Sequence, residues 1–156
     1  MTYRITGLSP QPFLSLYGLP DEALAARGAI RYQVNEYPGF PDRITMRDVE
    51  IGQTVLLLNH VSQPADTPYR ASHAIFVQEG ATAQYDEIGA IPDVMKTRLL
   101  SLRAYAPDGM MLDAEIAQGA NLEEIIKRLL SNPEIEYIHA HNATRGCYSG
   151  RIERAA

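Results

Sequence analysis

Apolar and polar residues alternate most regularly between positions 100 and 116. Leu100, Leu102 and Ala104 alternate with Ser101, Arg103 and Tyr105, and Pro107-Asp108-Gly109 then reverses the chain. On the return, Met110, Leu112, Ala114 and Ile116 share one side and Asp113 and Glu115 the other. This predicts a hairpin with one dry and one wet face. Arg103 is then placed to face Asp113 or Glu115, a surface pair worth at most about 1 kcal/mol. The period next lengthens from two to that of a helix. Leu122, Ile125, Ile126, Leu129 and Leu130 form a stripe behind Asn121, a helix cap with Glu124 in the capping-box position. Asn132-Pro133 stops this helix, and Ile135 to His141 returns as a strand.

The earlier part of the chain is more broken. Ser9-Pro10 opens a short helix carrying Phe13, Leu14, Leu16 and Tyr17, closed by Gly18. Pro20-Asp21-Glu22 opens a second helix, and Gly28 ends it. Ile30, Tyr32 and Val34 alternate with Arg31, Gln33 and Asn35 as in a half-buried strand. Tyr37 to Pro41 is irregular, because two prolines lack amide protons. A short strand is predicted over 43–47, with a turn near Gly52. The run Val55-Leu56-Leu57-Leu58 within 54–61 suits a central strand covered on both faces. A loop over 62–72 leads to a second apolar strand at Ala74-Ile75-Phe76-Val77, and a brief helix is predicted over 94–98. The expectation is an α+β fold, one domain over 1–156, with a mainly antiparallel, partly barrel-like sheet and a few short helices.

Composition narrows the functional classes. The 156 residues fall within one ordinary domain length. Fourteen Lys and Arg against 19 Asp and Glu give a net charge of -5, with no basic run. Nucleic acid is therefore not an expected partner. No window matches a membrane span, and the first residues lack the apolar stretch of a signal peptide. Cys147 is the lone cysteine, which fits a reducing compartment, and a cytoplasmic protein is expected.

Candidate chemistry concentrates after the last predicted strand. His139, His141 and Tyr137 share one face, while Ile138 and Ala140 point the other way. Two imidazoles about 6–7 Å apart can bracket a polar ligand or ligate one metal, with His60 or Cys147 completing a set. No established metal motif is present, however. Asn142, Arg145 and the Gly146 turn follow at once, offering an amide, a guanidinium and backbone donors. The plainer alternative is a solvated strand face, with Arg145 paired to a carboxylate. Arg43, Arg70 and Arg145 lie in loops where they can meet an anion, with Tyr69 and Tyr148 as walls. Equally, these arginines can fix irregular loops by bonding carbonyls. Cys, His and Asn all fall within 139–147, as a cysteine nucleophile requires, but Cys147 has no visible activating helix start and reads as a small buried hydrophobe. Catalytic residues and cofactors are not assigned by these patterns.

Three blocks carry a resemblance: Pro38 to Arg43, Pro68 to Val77, and His139 to Tyr148. Together they resemble a bacterial family known only as a domain of unknown function, number twelve hundred and three. Asp42 and His73-Ala74 depart from the family's pattern, which often has Cys at the former and Gly-Pro at the latter. The resemblance implies domain boundaries and no activity. Two readings stand at this point. One is a His/Arg-lined pocket for a small polar or anionic ligand, with or without chemistry. The other is a non-enzymatic interaction module that self-associates as a homo-oligomer.

Overall fold

The computed structural model describes residues 1–156. Its strands are β1 (Thr2–Thr6), β2 (Ile30–Gln33), β3 (Thr54–Gln63), β4 (Ala71–Gln78), β5 (Asp86–Ile88), β6 (Leu100–Tyr105), β7 (Met111–Ala117), β8 (Tyr137–Asn142) and β9 (Tyr148–Ala155). The helices are α1 (Asp21–Ala26), α2 (Asp93–Lys96) and α3 (Leu122–Leu130), with short 3-10 turns at Gln11–Leu16 and Gly119–Asn121. The strands form a six-stranded sheet, β5-β1-β9-β8-β6-β7, and a three-stranded sheet, β2-β3-β4. Every strand pair is antiparallel. Neither sheet closes, so the expected partial barrel is replaced by two open sheets.

The large sheet has one apolar face and one mixed face. Leu100, Leu102 and Ala104 on β6, Ile138 and Ala140 on β8, and Ile152 on β9 are fully buried. They join the stripe of α3 in one core, to which Tyr3 and Ile5 of β1 also belong. The period-two alternation therefore sends Tyr137, His139 and His141 to the opposite face. In the small sheet, Leu56 pairs with Val77, Leu58 with Ile75 and His60 with His73. Each successive pair is two residues on, so the two histidines extend the apolar row of Leu56 and Leu58. Tyr148 of β9 joins that row's core.

Several sequence expectations change. In the hairpin the register is Leu102 with Glu115, Arg103 with Ala114 and Ala104 with Asp113, with a bulge after Ala104. The apolar positions of the two strands thus fall on opposite faces. Leu112 and Ile116 are 45% and 52% exposed, while Asp113 and Glu115 lie on the α3 side and pair with Arg128. Arg103 faces neither acid. The alternation around β2 holds only at Val34, which is buried; Ile30 and Tyr32 are exposed. Arg31 instead bonds Glu79, Asp21 and the Leu19 carbonyl. The segment 43–47 is a turn, because the Asp42 carboxylate accepts the N–H and hydroxyl of Thr45 at 2.8 and 2.7 Å. Asn121 gives α3 no side-chain cap; its Oδ1 accepts the Gln118 N–H and closes the preceding 3-10 turn. Strands β1, β5 and β9 were not expected. No helix is long and apolar enough to cross a membrane.

Candidate functional site

Three segments converge beside the small sheet. The irregular 37–41 stretch leads into the Asp42 turn, β4 supplies His73, and the β8–β9 turn supplies Asn142 to Cys147. In that turn Asn142 N–H donates to the Cys147 carbonyl at 2.9 Å and Gly146 N–H to the Asn142 carbonyl at 2.8 Å. Gly146 has φ 80°, a left-handed conformation suited to glycine. Between these segments lies a cleft of about 810 Å³. Its apolar wall includes Phe40, Phe76 and Leu99, and the Phe40 and Phe76 rings lie 5.1 Å apart. Its polar lining includes Arg43, Asn142, Arg145, Cys147, Arg98 and His73.

Arg43 is the unusual member. It is 1% exposed, yet none of the hydrogen bonds of its guanidinium goes to a carboxylate. Nη1 donates to the Ser149 hydroxyl at 3.2 Å and Nη2 to Cys147 Sγ at 3.5 Å, while Nε has no partner. The adjacent Asp42 is also buried, but its carboxylate is engaged by Thr45 and by the Gln78 N–H at 2.8 Å. Burial pushes the Arg43 pKa down, with Arg98 adding to the shift, while Cys147 and the nearby Asp42 carboxylate oppose it. An isolated buried charge is costly and is normally paired. Asn142 adds a second open valence, since its Nδ2 donates to Cys147 Sγ at 3.3 Å and its Oδ1 has no partner.

The other cations differ. Arg98 is committed to Asp48 through two bonds of 2.6 and 3.1 Å. Arg145 lines the cleft, is exposed, and has no carboxylate partner of the kind the plainer reading supplied. Glu36 is the one acid on the lining besides these arginines, and it is exposed. With Arg98 paired to Asp48, Arg43 and Arg145 are the lining cations without a bonded carboxylate.

The four histidines do converge, but not on a common point. His60, His139 and His141 lie 5.8, 5.2 and 5.7 Å from the Tyr148 ring, centroid to centroid, and His73 lies 4.7 Å from His141. His139 and His141 are 4% and 1% exposed, so the solvated strand face is corrected to a buried layer between the sheets. The proposed metal set His139, His141 and His60 is not assembled: no three His, Cys, Asp or Glu side chains form a group able to hold an ion. Burial dominates the titration of the layer. It lowers His139 to about 3, helped by His141, Arg151, His60 and Arg103. It lowers His141 to about 4 against the Gly146 carbonyl bond, with Arg103, His73 and Arg43 adding to the depression. That bond, 2.9 Å from Nδ1 to a carbonyl, requires Nδ1 to carry the proton. His139 also borders a smaller pocket of about 300 Å³ with Gln63, Tyr137 and Arg151.

Of the sequence candidates, Arg43, Asn142 and Arg145 meet in the cleft. His139 and His141 do not line it; both are buried, and His139 borders the smaller pocket instead. Tyr69 and Arg70 are not brought in: both are exposed on the β3–β4 loop, where Arg70 Nη1 donates to the Pro64 carbonyl. Tyr148 is buried among the histidines rather than forming a wall of the cleft. Sequence reasoning considered Cys147 only as a completing metal ligand or a weak nucleophile candidate and gave His73 no role, although both fall within the quoted blocks.

The matched span of the family comparison includes every one of these cleft residues except Glu36: a model described as protein of unknown function (DUF1203) covers residues 39–154. The chain belongs to the DUF1203 family. No curated protein and no solved structure matches it. The DUF1203 match begins at Gly39, where the cleft-lining chain begins to turn toward Arg43, and leaves β1 and β2 outside.

Proposed function

We propose that this domain binds a small organic anion in the cleft, its charged group on Arg43 and Arg145 and its apolar body against Phe40, Phe76 and Leu99. The observation that carries the reading is Arg43: a buried guanidinium with an unpartnered Nε and no carboxylate bonded to it. An anion would supply the missing acceptor, and the planar fork of arginine suits a carboxylate or phosphate. Thermal melting with benzoate, phenyl phosphate, inorganic phosphate and neutral benzamide tests it. At about 100 times its dissociation constant a ligand stabilises by about 2.7 kcal/mol. The aromatic anions are expected to raise Tm and benzamide to leave it unchanged; equal shifts from benzoate and benzamide would remove the charge from the account.

One observation favours self-association as a second reading. Strand β7 is a free edge of the large sheet, and Leu112 and Ile116 are exposed on it. Such an edge fits pairing with a second copy. Light scattering of wild type and Leu112→Glu tests this, a dimer mass lost in the variant being the supporting result and a monomer mass in both the opposing one.

A further inference from the structure

Cys147 is half-buried and lines the cleft. Its sulfur accepts two N–H groups, from Asn142 Nδ2 at 3.3 Å and from Arg43 Nη2 at 3.5 Å. A neutral thiol is a weak acceptor, so two donors, one of them cationic, are poorly matched to it. The nucleophilic form of cysteine, the thiolate, accepts such donors far better than the thiol does. A separate observation points to an incoming group. The same two side chains each keep a second polar atom, Arg43 Nε and Asn142 Oδ1, buried and without a partner. The fork that holds the sulfur thus has unused capacity for another ligand beside it. No second cysteine exists in the chain to consume Cys147 in an internal disulfide.

We propose that Cys147 is the reactive group of the cleft, a nucleophile that bonds covalently to small electrophiles carrying an anionic group. The inference rests on the anion-binding reading above: Arg43 and Arg145 would draw in the anionic end and set the electrophilic carbon against Sγ. In the step itself the Sγ–C bond forms, the bond to the leaving group breaks with its electron pair, and the thiol proton passes to solvent. Asn142 and Arg43 hold the sulfur in place.

The test uses two alkylating reagents that differ in charge. Iodoacetate and iodoacetamide both form the Sγ–C bond and release iodide, the thiol proton going to buffer. The full chain is treated with each, and the rate at Cys147 is followed by intact mass and compared with free cysteine. The rate ratio of iodoacetate to iodoacetamide is expected to exceed that of free cysteine by about tenfold, as for a ligand steered by fixed charge. Benzoate should slow the reaction with iodoacetate. Arg43→Lys should erase much of the preference. Because Arg43 is buried and its variant can fail to fold, exposed Arg145→Ala serves as the second variant, with a severalfold smaller preference expected. A ratio equal to that of free cysteine, or slower reaction with both reagents, overturns the proposal. Melting of Cys147→Ser with benzoate separates the two readings. A retained Tm shift beside a slow wild-type thiol leaves the anion site standing and the nucleophile refuted. Loss of the shift in both proteins refutes both.

Discussion

Mild acid should destabilise this fold through two buried histidines. His139 and His141 titrate near 6.5 when unfolded, and in the fold their values fall to about 3 and about 4. The sign follows from which state takes up protons. Above the unfolded value both states are neutral and nothing changes. Below it the unfolded chain binds protons that the folded chain refuses, so stability falls, and the loss levels off only below the folded values. Between about pH 7.5 and about pH 5 each histidine costs about 2 kcal/mol, or about 4 kcal/mol together. His60 and His73, also lowered chiefly by burial, act in the same direction. Against a typical domain stability of about 5–15 kcal/mol this is a large fraction. Stopping near pH 5 keeps most carboxylates out of the measurement. The assay is urea unfolding across this window in buffers without carboxylate or phosphate, which would load the cleft. His139→Gln with His141→Gln should flatten the dependence. A wild-type stability unchanged within about 0.5 kcal/mol, or a double variant with the full slope, would refute the buried neutral layer.

Arg43→Met should leave the ligand-free fold as stable or more stable by roughly 1–2 kcal/mol, since a buried charge gives way to an apolar chain of similar reach. Chemical denaturation reads this, and a loss above about 2 kcal/mol would mean that Arg43 is there for structure. Gly7→Ala should disrupt the cleft from a distance, because a Cβ at Gly7 would collide with the Ile44 carbonyl oxygen and lie 2.9 Å from that of Arg43. A drop in Tm together with loss of the benzoate shift is the expected result, and a wild-type benzoate response would show that the Arg43 turn does not depend on this approach.

The parts of the fold that were legible are those where one period dominates. The α3 stripe at Leu122, Ile125, Ile126, Leu129 and Leu130 is buried as its spacing required. β8 also puts Ile138 and Ala140 in the core and His139 and His141 opposite. Strand β9 was hidden because it carries one aliphatic residue, Ile152, among Ser149, Gly150, Arg151, Glu153 and Arg154. It lies between β1 and β8, and its pairing rather than its side chains defines it. The hairpin misled because register, set by a bulge after Ala104, decides which face an alternating strand buries. At the site, residue types near loops located Arg43, Asn142 and Arg145. Sequence could not show that Asp42 would be engaged elsewhere and leave its neighbour Arg43 without a bonded carboxylate, because that depends on Thr45 and Gln78. The same limit explains the histidines. His60 and His73 are 13 positions apart, and only the β3–β4 register sets them face to face against β8.

The most direct measurement is the side-chain Nε–H resonance of Arg43, followed by ¹⁵N-resolved NMR while benzoate is added to the full chain. This nitrogen is a buried donor without a partner. If the cleft is an anion site, the resonance shifts progressively and saturates, and an equal concentration of benzamide leaves it in place. If benzoate moves only exposed arginine resonances and the Arg43 signal stays fixed to saturation, the buried guanidinium is not an anion receptor.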